Sequence, residues 1–224
     1  MKPRVRLAST KTRNGLDVFL YAHDDSFGIS IDGKELMHSK ASASECYLGK
    51  IGVSHLINAE KSRILIGGLG LGFTLKSVLS HSSSFVKVDI VEIIPEIIDW
   101  NKTFLHGLNG SLLEDPRVNV VNADVSEIIF DTQSNFYDGI ILDLDNGPVP
   151  MVDENNANLY EYSGIKKMNR KLRSNGRIAI WSAGPDLDFE DMLKINSINF
   201  SKIQAKVHQG AKRARHLIYV IKKY

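Results

Sequence analysis

The chain has 224 residues, enough for one domain with a sizeable core, and its 43% apolar and 24% charged content is that of an ordinary globular protein. A formal net charge of +2 gives no reason to expect a nucleic-acid partner, and no run approaches the roughly 18 consecutive apolar residues of a membrane helix. Cys46 is the only cysteine, which excludes an internal disulfide and a cysteine-clustered zinc site and fits a reducing cytoplasm.

The basic start MKPRVRLAST has no apolar run behind it, so no secretory signal is expected. LDVFLYAHDDSFGISIDGKELMHS then alternates apolar and polar positions, with DDS and DG as turn signals. Residues 1–43 are therefore read as a small N-terminal β-hairpin region, followed over 44–224 by a second unit. That unit opens with ECYLGKIGVSHLI, spaced as an amphipathic helix with Ser44 available as N-cap. From Arg63 onward strands and helices alternate. RILIG is a strand and FTLKSVLS a helix; VKVDIVE is a strand and PEIIDWNKTFL a helix with proline in its first turn. RVNVVNA, YDGIILD and RIAIWSA supply three more strands, with helices over VSEIIF, NLYEYSGIKKMNRKL (closed by an SNG turn) and DLDFEDMLKIN, the last capped by Asp186. FSKIQAKVH and HLIYVIKK end the chain as two strands with no helix between them. Strands that are almost continuously apolar and alternate with helices predict an α/β fold, a doubly wound, mostly parallel sheet with an antiparallel C-terminal strand.

In ILIGGLGLGFTLKSVL, Gly67, Gly68, Gly70 and Gly72 sit between a strand and a helix. A glycine turn there lets a nucleotide approach the main chain, although glycines also gather for packing alone. The dinucleotide fingerprint would need glycine where Phe73 stands, and GxGxG is the pattern of S-adenosylmethionine-type sites. Glu92 ends the next strand, placed to accept hydrogen bonds from ribose hydroxyls. NADV puts Asp124 after the third strand, to accept the adenine amine or to cap the helix that follows, with Val125 able to pack on the ring. The seven histidines are scattered without HxH or HExxH spacing, so no metal site is expected. Charge is locally uneven: residues 143–161 contain no Lys or Arg, whereas KVHQGAKRARH (206–216) is basic and reads as a solvated turn distal to the site.

Over roughly residues 36–185 the chain resembles the spermidine synthases and their bacterial relatives on the class I methyltransferase fold. LIGGLGLGFTL is similar to the family's glycine loop, VDIVEIIPEIIDWNK to its ribose-binding strand and helix, and DPRVNVVNADVSEI to its adenine side. YDGIILDLDNGP resembles its catalytic loop, in a shorter bacterial branch with LDxDNGP there and WSA after the fifth strand. The resemblance implies aminopropyl transfer from decarboxylated S-adenosylmethionine to a small cationic, polyamine-type amine, with Asp143 and Asp145 as catalytic acids. It also sets Glu45, Tyr47, Asn146 and Tyr160 along the acceptor groove, although tyrosines at such places also serve as core or interface residues.

Three departures bear on that implication. The family's loop reads D[ST]xD, and its second acid is replaced here by the amide Asn146, so Asp145 or Asp143 would have to serve as base. The family's glycine loop carries an acid where Gly70 stands, and without it intact S-adenosylmethionine becomes admissible. No glutamine-glycine-glutamate segment follows the fifth strand. The alternatives are therefore a methyltransferase acting on a small molecule or, through the basic turn, on RNA, and a non-catalytic module that binds an adenosyl thioether. A homodimer is compatible with all of these.

Overall fold

Alternation in the first forty residues folds into a four-stranded antiparallel sheet, arranged in chain order as β1 (Val5–Lys11), β2 (Asp17–His23), β3 (Ser26–Ile31) and β4 (Lys34–His38). In this computed structural model, residues 3–56, 59–144 and 156–224 are described. Asp24–Asp25 and Asp32–Gly33 all have positive φ, as two-residue hairpin turns matched to the strand twist require. Helix α1 (Ala43–Val53) begins after Ser42, not after Ser44. Ser44 lies buried in the first turn, where its hydroxyl bonds to side chains instead of capping.

Five strands form the parallel part of a seven-stranded sheet: β5 (Ser62–Gly67), β6 (Val86–Glu92), β7 (Val118–Asn122), β8 (Tyr137–Leu142) and β9 (Leu172–Ser182). The antiparallel strand β11 (His216–Lys222) pairs with β9, and β10 (Phe200–Ala205) pairs antiparallel with β11. The order is β10-β11-β9-β8-β5-β6-β7. The chain moves outward from β5 to β7 in one direction, then returns to β8 and moves outward in the other. The crevice at the carboxyl ends of β5 and β8 is thus the topological switch point, where such sheets bind ligands.

The helices are α2 (Phe73–Ser80), α3 (Pro95–Lys102), α4 (His106–Asn109), α5 (Val125–Asp131), α6 (Ala157–Tyr160), α7 (Tyr162–Lys171) and α8 (Leu187–Ile195). Asp124 and Asp186 cap α5 and α8, accepting from the backbone N–H of Ser126 and Phe189. Two helices expected to be continuous are broken. The first ends after Lys102, where Thr103 leaves helical geometry and turns its hydroxyl onto the Asp99 carbonyl. The other is interrupted at Glu161, whose φ of −73° and ψ of 162° are extended. The SNG turn is absorbed into β9, with Asn175 in the left-handed region at φ 66°.

Successive residues of each strand face opposite sides of the sheet. Ile64, Ile66 and Ile218 pack with α1, α2, α3 and the N-terminal sheet, while Leu65, Leu217 and Tyr219 pack with α5, α7 and α8. Burial on both faces explains why the strands read as unbroken apolar runs. No helix among the described residues is long and apolar enough to cross a membrane.

Candidate active site

A cleft opens at the switch point, with an empty volume of about 640 Å³ including its mouth. Its floor is made by Gly68, Gly70, Glu92, Asp124, Val125 and Asp143. Its roof comes from the N-terminal sheet, through Ile29, Ile31, Leu36 and Met37. The hairpins therefore cover the crevice, with apolar side chains suited to the face of a planar ring.

The glycine loop divides into two pairs. Gly68 and Gly70 line the cleft, whereas Gly67 and Gly72 do not. At Gly68 (φ +89°) a Cβ would sit 2.2 Å from the Asp143 carbonyl oxygen, so only glycine lets the loop pass this close to the end of β8. Gly67 packs under Val125, whose Cγ2 is 3.0 Å from where a Cβ would lie. Two buried amides hold the loop from behind: Asn101 Nδ2 donates to the Gly70 carbonyl at 2.8 Å, and Asn109 Nδ2 donates to that of Leu71.

Glu92 is buried and doubly bound, Oε2 accepting from Leu69 N–H at 3.0 Å and Oε1 from Ile94 N–H at 2.9 Å. Burial still outweighs these bonds and pushes its pKa up. It thus staples the glycine loop to the start of α3 while keeping lone pairs toward the cleft. Asp124 caps α5 and also lines the cleft.

Beyond Gly70 the space is filled. A Cβ at this position (φ +49°) would lie 2.3 Å from Met37 Sδ and 2.5 Å from its Cε. The end of the Met37 side chain thus occupies the volume next to Gly70.

Asp143 is buried at the tip of β8, at the edge of the cleft, and accepts a 2.5 Å hydrogen bond from Thr74 Oγ1. Burial, then the nearby Glu45 carboxylate, raise its pKa to about 7, and Thr74 only partly opposes them. Glu45 is pushed up as well, chiefly by burial. Helix packing sets this geometry. Gly49 of α1 has no side chain to hold off α2, so Thr74 reaches the Glu45 carbonyl as well as Asp143. Both carboxyl groups are thus held above the ordinary carboxylate range, which brings Asp143 close to the range of a general base.

Residues 46–223 match the spermine/spermidine synthase domain. The chain belongs to that family. The polyamine aminopropyltransferase of Prochlorococcus marinus (strain AS9601) is 32% identical over 127 residues, covering 57% of this chain and 43% of that protein. Putrescine N-methyltransferase 2 of Nicotiana attenuata is 33% identical over 114 residues, covering 51% of this chain and 29% of that protein. These matches thus span less than half the length of either relative. A spermidine synthase solved with the transition-state analogue AdoDATO aligns over 98% of this chain and 72% of its own, with a TM-score of 0.73 and 16% identity, a likeness of fold.

In this family member Asp145 and Asn146 lie outside the described residues, although Leu144 and Asn156 on either side of that stretch both line the cleft. Tyr47 packs against the core of α1's face, and Tyr160 is buried edge-on to Phe189; neither lines the cleft. The basic loop is largely exposed and lines no part of the cleft, but it is anchored to α1. It enters β11 at His216, whose Nδ1 is 2.9 Å from Ser44 Oγ, and the Val207 carbonyl accepts from Ala43 N–H at the start of α1. Met37, Thr74, Ser44 and His216 carry no local sequence signal, because each acts through a partner remote in the chain. Among the described residues, no three His, Cys, Asp or Glu side chains are grouped to hold a metal ion.

Proposed function

We propose that the chain is a polyamine aminopropyltransferase that takes the aminopropyl group of decarboxylated S-adenosylmethionine to a small cationic amine. The observation that carries this reading is the charge of the cleft. Its ionisable lining among the described residues is Glu92, Asp124 and Asp143, with Glu45 behind, and no lysine or arginine. Residues 145–155 add none either. A sulfonium with an ammonium tail suits such a lining, whereas the carboxylate of intact S-adenosylmethionine would meet acids and no counter-charge.

In this reading Glu92 accepts the ribose hydroxyls, Asp124 the adenine amine, and Val125 with the Ile29 and Ile31 roof holds the ring. The amine nitrogen bonds to the propyl carbon as the carbon–sulfur bond breaks, its electron pair remaining on sulfur in neutral methylthioadenosine. The sulfonium is already a good leaving group, so alignment and removal of the amine proton are the protein's tasks. Asp143 takes that proton, with Asp145 holding the amine's remote ammonium. A single unpaired cysteine, Cys46, supports a cytoplasmic setting.

A second reading, methyl transfer from intact S-adenosylmethionine to the same class of amine, is favoured by the similarity to the plant putrescine methyltransferase. Calorimetric titration separates the two. The proposal expects decarboxylated S-adenosylmethionine to bind at least about tenfold (1.4 kcal/mol) more tightly than S-adenosylmethionine. The reverse order favours methyl transfer.

A further inference from the structure

The carboxyl of Asp143 is tied through one of its two oxygens. Thr74, the second residue of α2, donates from Oγ1 to Asp143 Oδ2 at 2.5 Å, and the same hydroxyl lies 3.2 Å from the Glu45 carbonyl oxygen of α1. A hydroxyl has one proton, and the shorter contact has the length of a charge-assisted bond, so that proton is directed to the ionised carboxylate. Among the described residues no other hydrogen bond reaches this carboxyl, so Oδ1 has no protein partner there. Asp143 lines the cleft, whereas Thr74 does not.

We propose that Thr74 is a positioning residue, turning the Asp143 carboxyl so that Oδ1 is the oxygen that takes the proton of the attacking amine. The proposal rests on the aminopropyl-transfer reading. The outer torsion of an aspartate is broad and roughly two-fold, so an untethered carboxyl would offer either oxygen over a wide range of tilts. With Oδ2 tied to Thr74, one oxygen and one direction remain. The amine nitrogen gives one proton to Oδ1, its electron pair forms the bond to the propyl carbon, and the pair of the broken carbon–sulfur bond stays on sulfur. Oδ2 is still an acceptor once Oδ1 is protonated, so the Thr74 bond persists and the carboxyl keeps its orientation through the transfer.

Helix packing builds this tether. Gly49 lets α1 and α2 meet: a Cβ there would lie 2.6 Å from the Thr74 carbonyl oxygen and 2.7 Å from Ser77 Cβ. One turn after Thr74, Ser77 Oγ donates to the Cys46 carbonyl, so two hydroxyls of α2 are set against consecutive carbonyls of α1. The ionisable groups around Asp143 are Glu45 and the Cys46 thiol on α1, with Glu92 and Asp124 on the cleft floor, and none of them carries a positive charge. Burial and Glu45 favour the neutral acid, and Thr74 opposes both by bonding to the ionised form.

The test uses the full chain with Thr74→Val, which removes the hydroxyl and nearly keeps the shape, and Thr74→Ser, which keeps the hydroxyl. In Thr74→Val, kcat for methylthioadenosine release from decarboxylated S-adenosylmethionine and putrescine should fall roughly tenfold, with the KM for the amine unchanged. The acidic limb of its kcat/KM profile should move from near 7 to higher pH. Thr74→Ser should return the limb to near 7 and recover most of the rate. A purely structural role would lower thermal stability and leave the limb in place. Unchanged kcat, a limb that stays near 7 in folded Thr74→Val, or a Thr74→Ser protein that behaves like Thr74→Val overturns the proposal. Carboxyl-carbon NMR of the aspartate-labelled chain reads the tether without any reaction, the Asp143 signal being identified by its loss in Asp143→Asn. Its midpoint should lie near 7 in the wild type and higher in Thr74→Val. A midpoint that does not move rejects the tether. A midpoint that moves in a chain whose wild type releases no methylthioadenosine rejects the assigned transfer instead.

Discussion

Replacing Glu45 with glutamine removes one charge from the compartment of Asp143 and nearly preserves its shape. Asp143 is raised from the ordinary aspartate value of 3.8 to about 7 by two causes, burial first and Glu45 second. Because Glu45 is the second of the two causes, its removal should lower the Asp143 pKa while leaving the part due to burial in place. The sign follows directly: with the neighbouring negative charge gone, Asp143 ionises more readily, so the base form persists to lower pH. The assay is the pH profile of kcat/KM for methylthioadenosine formation from decarboxylated S-adenosylmethionine and putrescine. Its acidic limb should move from near 7 to lower pH in Glu45→Gln. The position of the limb is the diagnostic quantity. A limb that stays near 7 would refute the coupling of the two carboxyl groups, and a move to higher pH would refute the assignment of Asp143 as base.

Stability should report the same burial without any reaction. Between pH 3.8 and about 7 the folded chain holds a proton on Asp143 that the unfolded chain releases, so this residue lowers stability as pH rises. Asp143→Asn should therefore melt roughly 4 °C or more above wild type at pH 8, with the gap closing by pH 4, while turnover falls at least about a hundredfold. Gly70→Asp should cost about 1–3 kcal/mol, because Met37 fills the space and the backbone φ is positive, and Met37→Ala should recover part of that loss in thermal melts. Glu92→Ala removes the acceptor for Leu69 and Ile94 N–H and should weaken cofactor binding about tenfold to a hundredfold by calorimetry; unchanged affinity would reject the assigned ribose site.

How much of this could be read in advance depended on range. The parallel strands were legible because both faces are buried, which leaves runs such as RILIG and YDGIILD with almost no polar break. Asp186 was legible as a cap because capping is local, and Glu92 and Asp124 because strand tips follow from strand order. The start of α1 was misplaced by two residues because the Ser44 hydroxyl is directed to Glu45 and His216, the latter 172 positions away. The consequence of Gly70 was likewise hidden. The missing acid was legible as a lost charge, but not that β4 brings Met37 beside this glycine. The roof over the cleft could not be read either, since alternation in LDVFLYAH and SFGISIDG places apolar residues on one face without saying what that face covers.

The central claim is the group transferred, and product analysis tests it most directly. The purified chain is incubated with putrescine and either decarboxylated or intact S-adenosylmethionine, and both products are identified by mass spectrometry. The account predicts methylthioadenosine with an aminopropylated amine from the decarboxylated donor, lost in Asp143→Asn, and no turnover of the intact one. S-adenosylhomocysteine and a methylated amine from the intact donor would contradict it.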